Sequence, residues 1–260
     1  MISGPEIGAN LLEAERLVTE AVRGGAGLVV LPEYFPMIGA ADADRLEARE
    51  REGYGPIQDF LSDTARRLGV WVVGGSLPLH GNDPGKSRNA CLVFDNEGNQ
   101  VARYDKIHLF GFEKGEERYE ERLFIEAGED ISVIDTPAGR TGLAICYDLR
   151  FPELFRKMGE IDLIVLPAAF TETTGLAHWE VLLRARAVEN QCYIVASAQG
   201  GLHPTGRRTF GNSMIVDPWG KVLARMDKGA GVVFAEIDPA RIAEVRKSLP
   251  ALKHKKLETS

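Results

Sequence analysis

The sequence predicts an α/β fold in which helices cover the faces of mixed β-sheets. Short apolar runs bounded by Gly, Pro, Asn or Asp alternate with segments of helical periodicity along most of the 260 residues. Some neighbouring runs are joined by short turn sequences typical of hairpins, which argues against a purely parallel sheet. Because no internal repeat, linker or low-complexity tract divides the chain, residues 1–260 are expected to form a single domain.

The first predicted element is a helix over residues 7–22, where apolar residues recur on one face. Ser3 and Glu6 have the spacing of a capping box before it, and Gly24 and Gly25 mark its end. The next element is a buried strand at residues 28–31 that Pro32 stops, which places Glu33 at the end of a strand. The remaining elements, in chain order, are a helix at 56–68, strands at 70–74, 90–94, 101–104, 131–135 and 141–146, a helix at 152–158, a strand at 163–166, a helix at 175–190, strands at 192–197, 213–216 and 232–237, and a helix at 239–247.

Glu33, Lys106 and Cys146 each follow or end a predicted strand, although they are far apart in sequence. Sites in open α/β sheets are built at strand ends. Taken singly, these residues are weak signals, because most such carboxylates cap turns, most lysines are solvated and most cysteines that end apolar strands are packed in the core.

The segments around the three residues resemble those of a known family. Residues 142–154, GLAICYDLRFPEL, closely resemble the nucleophile segment of the nitrilase, or carbon–nitrogen hydrolase, superfamily. LPE at residues 31–33 and YDKIHLF at 104–110 resemble its general-base and lysine segments, in the same order. The resemblance extends through residues 177–187 and 211–220 and is nearest the Nit branch, which includes deaminated glutathione amidase and ω-amidase.

This resemblance implies the αββα sandwich of the superfamily, four-layered when assembled, and a homodimer or larger assembly. It implies that Cys146 is the nucleophile, that Glu33 is the general base and acid, and that Lys106 stabilises the thiolate and the oxyanion. The backbone N–H of Tyr147, next to the nucleophile, is the expected second oxyanion donor. Only about 3% of an unperturbed cysteine is thiolate at pH 7, so we expect the charge of Lys106 to lower the pKa of Cys146.

The family pattern also implies a second glutamate near the lysine, and counting back from Ala127 and Gly128 assigns it to Glu121. Other carboxylates crowd the same loop, namely Glu116, Glu117, Glu120 and Glu126. The alternative is a solvated acidic loop, since such carboxylates are mostly exposed.

The implied reaction is hydrolysis of the C–N bond of a small carboxamide through a cysteine thioester with release of ammonia. Deaminated glutathione is the preferred substrate, and the alternatives are an ω-amidase or a hydrolase of nitriles or carbamoyl compounds. An alternative of another class is a non-catalytic binding or scaffold protein. The partners implied are the amide substrate and water, with no cofactor.

Two further patterns leave alternatives open. His108 could form a papain-like pair with Cys146, although Glu33 and Lys106 would then have no role. The histidines lack metal-ligand spacing, so no metal is predicted.

The glycine-rich segment 200–211 carries Arg207 and Arg208. It is either a solvated loop or a flap whose arginines bind a substrate carboxylate.

Composition and chain ends complete the predictions. The chain has 31 Lys and Arg against 38 Asp and Glu, a net charge of −7, which gives no reason to expect binding to nucleic acid or anionic membranes. Neither a membrane-length apolar run nor a signal-like N-terminus is present, and three cysteines suit reduced thiols, so a cytoplasmic protein is expected. The family's first strand precedes the segment matching residues 2–5 and is absent here, which predicts either that the natural chain starts earlier or that the sheet edge is unpaired and the protein poorly stable. The tail at 249–260 is expected to reach a partner subunit.

Overall fold

Two mixed β-sheets form the centre of the protein in the computed structural model, which describes residues 1–41, 43–115 and 117–257. The helices, in chain order, are α1 (Ile7–Arg23), α2 (Asp44–Glu47), α3 (Pro56–Leu68), α4 (Pro152–Lys157), α5 (Glu172–Asn190), α6 (Pro239–Ser248) and α7 (Ala251–His254). The strands are β1 (Leu28–Val30), β2 (Trp71–Val73), β3 (Leu77–His80), β4 (Ser87–Phe94), β5 (Gln100–Asp105), β6 (Gly111–Lys114), β7 (Glu117–Glu120), β8 (Val133–Thr136), β9 (Gly139–Leu143), β10 (Leu163–Ala168), β11 (Tyr193–Ala198), β12 (Ser213–Val216) and β13 (Val222–Met226).

The first sheet is organised around the long strand β4. Among the described residues, β1 pairs in parallel only with β2, whereas β2, β3 and β5 all pair antiparallel with β4. The second sheet has the order β13-β12-β11-β10-β9-β8, with parallel pairs around β10 and antiparallel pairs at both edges. The prediction of mixed sheets is therefore confirmed.

Alternation along the strands explains how the layers pack. On β4, Leu92 belongs to the apolar cluster that also contains Leu17 of α1 and Leu61 of α3. Its neighbours Cys91 and Val93 belong to the other cluster, which joins both sheets to α4 and α5. Because successive side chains of a strand point to opposite faces, the layers follow the order helix, sheet, sheet, helix. This is the αββα arrangement that the resemblance implies.

The predicted elements and the structure differ in several places. The prediction of a capping box is wrong. Glu6 makes no side-chain cap bond, and the Ser3 hydroxyl donates instead to the carbonyl of Phe35 at 2.8 Å. The segment 107–129, expected to be irregular, contains the β6–β7 hairpin. Residues 232–237 form no strand, although Phe234 and Glu236 are exposed and alternate with half-buried neighbours, as in a strand. This segment pairs with no described strand and, together with β1, lines a cavity of about 570 Å³.

The topology brings one end of both sheets together. Glu33 follows β1, Lys106 follows β5, and Cys146 lies just beyond β9. Within the described residues, no helix is long and apolar enough to cross a bilayer.

Candidate active site

Glu33, Lys106 and Cys146 meet at this end of the sheets, as predicted. Their exposed fractions are 1%, 0% and 7%, so the site is almost fully shielded from water. The Nζ of Lys106 lies 2.9 Å from Oε1 of Glu33, and Glu33 and Cys146 line the same small cavity. Glu33 therefore adjoins both the thiol and the ammonium group.

Glu121 completes the cluster. Both of its carboxylate oxygens accept hydrogen bonds from Lys106, at 2.8 and 3.0 Å. The Tyr34 hydroxyl and the Phe110 N–H each donate to it at 2.8 Å, which fixes the carboxylate against the lysine. A buried ammonium between two carboxylates is compensated in charge and in hydrogen bonds.

The other carboxylates of this loop have different partners. Glu120 pairs with Arg122, Glu126 pairs with Arg88, and Glu117 accepts a bond from Thr173. Glu116 lies outside the described residues. Of the loop carboxylates that the structure describes, Glu121 is the one that contacts Lys106.

Two groups that the sequence did not indicate hold Glu33 in place. The side-chain amide of Asn89 on β4 donates to Oε1 at 3.0 Å, and the N–H of Ala169, just beyond β10, donates to Oε2 at 2.9 Å. An asparagine within an apolar strand carries no local signal of such a role. Its burial at 2% exposure, known only from the fold, is what indicates it.

The charges in the cluster stabilise one another. Burial alone would lower the pKa of Lys106, but the carboxylates of Glu121 and Glu33 outweigh it and hold that pKa well above its ordinary value. Burial alone would raise the pKa of Glu121, but Lys106 and its hydrogen bond keep that pKa below its ordinary value. Lys106 is therefore charged and Glu121 ionised at neutral pH.

Cys146 does not rest as a thiolate, contrary to the expectation from sequence. Burial raises the pKa of its thiol well above the ordinary value, and the negative charge of Glu33 raises it further. Lys106 acts in the expected direction, but its effect is outweighed. The proton therefore stays on sulfur until a base takes it, and Glu33 is the base in contact.

The backbone at Cys146 is strained. Its φ of 49° lies in the left-handed region, which residues other than glycine rarely adopt. Cys146 opens a 3₁₀ turn, Cys146–Arg150, and Tyr147 follows in its first turn, where N–H groups lack partners within the turn. The role of the Tyr147 N–H as second oxyanion donor stays a prediction.

His108 is not a partner of Cys146. Its Nδ1 lies 2.7 Å from Oδ1 of the buried Asp148, and its ring stacks on Phe151 at a centroid distance of 3.7 Å. The papain-like pairing considered from sequence therefore has no geometric support.

A cavity of about 10 Å³ lies at the sulfur, lined by Cys146, Tyr147, Phe170, Arg150 and Arg207 among others. A carbonyl carbon placed there would lie beside a nucleophile, a base and an ammonium group, the groups that acyl transfer needs. Within the described residues, no group of three His, Cys, Asp or Glu side chains is arranged to hold a metal ion.

The two arginines predicted for substrate binding are separated by the structure. Arg207 lines the cavity, with its guanidinium 5.6 Å from the centre of the Tyr119 ring. Its Nε is buried without a hydrogen-bond partner. Arg208 is exposed and does not line this cavity. Arg150, to which no firm role is assigned from sequence, also lines it.

The chain is similar to known proteins in both sequence and fold. Residues 4–247 match the sequence model of the carbon-nitrogen hydrolase family. The chain is 39% identical to a deaminated glutathione amidase of Yersinia enterocolitica, over 100% of this chain and 92% of that protein. The NitFhit protein of Caenorhabditis elegans superimposes with a TM-score of 0.87 at 40% identity, over 98% of this chain and 63% of that one.

A Nesterenkonia amidase superimposes with a TM-score of 0.77 at 26% identity, over 95% of this chain and 94% of that one. Its structure shows the Michael addition of acrylamide at an active-site cysteine. From the family match across most of its length, we conclude that this chain belongs to the carbon-nitrogen hydrolase family of the nitrilase superfamily.

Proposed function

We propose that the protein is a cysteine amidase that cleaves anionic carboxamides of the deaminated glutathione type. The observation that carries the proposal is the buried cluster in which Lys106 bridges Glu33 and Glu121 while Glu33 and Cys146 line one cavity. The relatives named deaminated glutathione amidase support the substrate class.

In the first half of the reaction, the sulfur of Cys146 attacks the amide carbon as Glu33 takes the thiol proton. The carbonyl oxygen becomes an oxyanion, which Lys106 and the N–H of Tyr147 stabilise by charge and hydrogen bonding. Glu33 then donates the proton to the nitrogen, and the C–N bond breaks. The amine leaves, and the acyl group stays on Cys146 as a thioester. The raised pKa of Cys146 fits this order, because proton removal accompanies attack.

In the second half, Glu33 takes a proton from water as the water oxygen attacks the thioester carbon. The same two donors stabilise the second oxyanion, the C–S bond breaks, and the proton returns to sulfur as the carboxylic acid leaves. Glu121 keeps Lys106 charged and oriented throughout, since both its oxygens accept from the ammonium.

The arginines of the cavity support an anionic substrate. Arg150 and Arg207 both line it, and among the described residues neither forms an ion pair with a carboxylate. Deaminated glutathione has a carboxylate at each end, which guanidinium groups bind with bidentate geometry. Its amide nitrogens are substituted, so hydrolysis releases an amine. Ammonia, expected from sequence, would arise only from primary amides.

The test is a product assay with deaminated glutathione, α-ketoglutaramate, glutamine and a simple nitrile. Chromatography of the acid and amine products avoids dependence on ammonia. We expect deaminated glutathione to be the best substrate, with turnover lost in Cys146→Ala and retained in Cys192→Ala, which changes a buried thiol elsewhere. Preference for α-ketoglutaramate would favour an ω-amidase, nitrile turnover would favour a nitrilase, and no turnover would favour a binding protein.

The arginine assignment is tested with matched variants. We expect Arg207→Ala to lower kcat/KM for deaminated glutathione about 10- to 100-fold, the usual range for a lost charged hydrogen bond, while a neutral amide is little affected. Arg208→Ala, one residue away but exposed, is the control and should change both substrates less than about 3-fold. Equal effects of the two substitutions would contradict a role for Arg207 in binding a carboxylate.

We also propose that the chain self-associates through one face of α5. Val181 and Val188, seven residues apart, lie on one face of α5, and Leu176 borders the same surface groove; the three are 61%, 48% and 79% exposed, an unusual density of apolar side chains for a free helix. Sedimentation should give at least a dimer for the wild type and a monomer for Leu176→Asp. A contribution of the tail at residues 249–260 to this interface stays part of the proposal, and residues 258–260 lie outside the described residues.

We also propose a cytoplasmic location, which the three free cysteines support.

A further inference from the structure

We propose that Asp148 is a positioning residue that fixes Cys146 and Lys106 relative to each other. It is completely buried and lies two residues after the nucleophile. The proposal rests on the proposed function for its catalytic consequence, whereas the geometry stands by itself.

Asp148 joins two segments that come from different sheets. Its Oδ2 accepts the N–H of Ile145 at 2.8 Å and the hydroxyl of Tyr104 at 2.7 Å. Its Oδ1 accepts the N–H of His108 at 3.1 Å and faces Nδ1 of the same residue at 2.7 Å. One carboxylate therefore holds both the residue before the nucleophile and the segment that carries the lysine.

The partners of Asp148 lie next to Cys146 and on both sides of Lys106 along the chain. Tyr104 and His108 lie two residues before and two residues after Lys106, so both flanks of the lysine are tied to Asp148. Ile145 directly precedes Cys146, whose left-handed φ of 49° needs support from its surroundings. Without the carboxylate, nothing in this network would keep the strained turn in register with the lysine segment.

The chemistry of the contacts explains why the residue is an aspartate. Two backbone N–H groups, of Ile145 and His108, point at different oxygens of one side chain. Neither N–H can reverse its role, so both positions need an acceptor. Asparagine offers one oxygen and one NH₂ group, and it therefore leaves a buried N–H facing a donor.

The experiment compares Asp148→Asn with Asp217→Asn. Asp217 is also a buried carboxylate that holds a turn, accepting the N–H groups of Trp219 and Lys221, but it lies outside the cluster. Three quantities are measured for each variant: kcat and KM for the best amide, the rate of Cys146 alkylation by acrylamide, and Tm. Alkylation reports the nucleophile without depending on which amide is the substrate.

We expect Asp148→Asn to lower kcat about 10- to 100-fold with KM nearly unchanged, because displacements of about 1 Å among reacting groups have effects of this size. The alkylation rate should fall with it. Asp217→Asn should lower Tm but change kcat and alkylation less than about 2-fold. A wild-type kcat and alkylation rate in Asp148→Asn, or losses in both variants that merely follow Tm, would overturn the proposal.

A second variant tests the proposal even if Asp148→Asn does not fold. His108→Phe keeps the backbone N–H and a ring that can stack on Phe151, and it removes the ring contact with Asp148. We expect kcat and the alkylation rate to fall about 3- to 10-fold at unchanged KM, and wild-type values would overturn the proposal. If the wild type hydrolyses no amide, the proposed function fails, while the alkylation rates still decide the role of Asp148.

Discussion

At the residue scale, the central feature is a base that controls when the nucleophile ionises. The Glu33 carboxylate accepts from Asn89, Ala169 and Lys106 and lines the same cavity as the Cys146 thiol. Burial and the negative charge of Glu33 together keep the thiol protonated. The same carboxylate accepts the proton when sulfur attacks, so it contributes both to inactivity at rest and to reactivity with substrate.

This arrangement predicts opposite effects of Glu33→Gln on acidity and on catalysis. The pKa of the Cys146 thiol should fall, because the neutral amide no longer opposes the thiolate, and kcat should fall about 10²- to 10⁴-fold with loss of the general base. The pH dependence of alkylation measures the first effect and amide turnover the second. A thiol pKa that stays the same or rises in Glu33→Gln would contradict the assignment.

Glu121 leads to a prediction about acid stability. Its pKa is lowered in the folded protein, so its contribution to stability is present above the unfolded value of about 4.3 and is lost as pH falls through the folded pKa. Glu121→Gln should therefore have a lower Tm than the wild type at pH 7, and the gap between the two curves should narrow as the pH falls below the unfolded value. Glu120→Gln, an exposed neighbour, is the control and should differ little from the wild type at either pH.

A gap in Tm between wild type and Glu121→Gln that stays constant between pH 7 and pH 3 would show that packing, rather than ionisation of Glu121, separates them.

The sequence identified the reacting residues but not the residues that hold them. Glu33, Lys106 and Cys146 lie in segments that resemble family motifs, and each follows a recognisable strand. Asn89 lies within a strand and shows its role only when β4 is placed beside Glu33. Asp148 lies within the recognised nucleophile segment, yet its partners are about 40 residues away and come from the other sheet. Such contacts are consequences of the tertiary fold.

At the element scale, prediction succeeded where residues at or next to the ends of an element mark where it begins and ends. The helix predicted at residues 56–68 matches α3, because Pro56 begins it and Gly69, with a φ of 63°, ends it. Strands β3 and β13 were missed, since both depend on pairing with a neighbour. The strand predicted at residues 232–237 has the right alternation of burial but no partner, so its pattern alone did not suffice.

The β6–β7 hairpin is the element expected to move. Its flanking residues Phe110 and Glu121 line the cavity of about 10 Å³, which is far smaller than the proposed substrates, and the hairpin forms a two-stranded sheet apart from the two main ones. The hydroxyl of Thr173 donates to Glu117 at 2.9 Å, and the Arg207 guanidinium stacks near Tyr119. Polar contacts of this kind can break and re-form when a segment opens and closes.

Hydrogen exchange measures this motion directly. We expect the amides of β6 and β7 to exchange faster than those of the fully buried β10, and Thr173→Val to accelerate exchange in the hairpin alone. Exchange in the hairpin as slow as in β10 would contradict the opening motion.

At the scale of the whole molecule, the free edge of the first sheet is the weakest part of the architecture. β1 pairs on one side only among the described residues, and it lines a cavity of about 570 Å³ together with Val233, Ala235 and Ile237. The amino group of Met1 lies beside this cavity, and burial lowers its pKa to about 6. The cavity is thus bordered by strand-like backbone without a partner, by apolar side chains and by an amine that resists burial when charged.

These features predict that an extended apolar segment joined ahead of Met1 stabilises the protein. A segment of about five residues, the usual length of a strand, would pair with β1, fill the cavity with alternate side chains and replace the buried amine by a neutral amide. A net gain of about 2 kcal/mol corresponds to a rise in Tm of about 4 to 8 °C for a chain of this size. A Gly and Ser extension of equal length is the control, since it also removes the amine but offers no apolar side chains. If both extensions give the same Tm, the cavity does not accept a strand, and any gain is due to the amine.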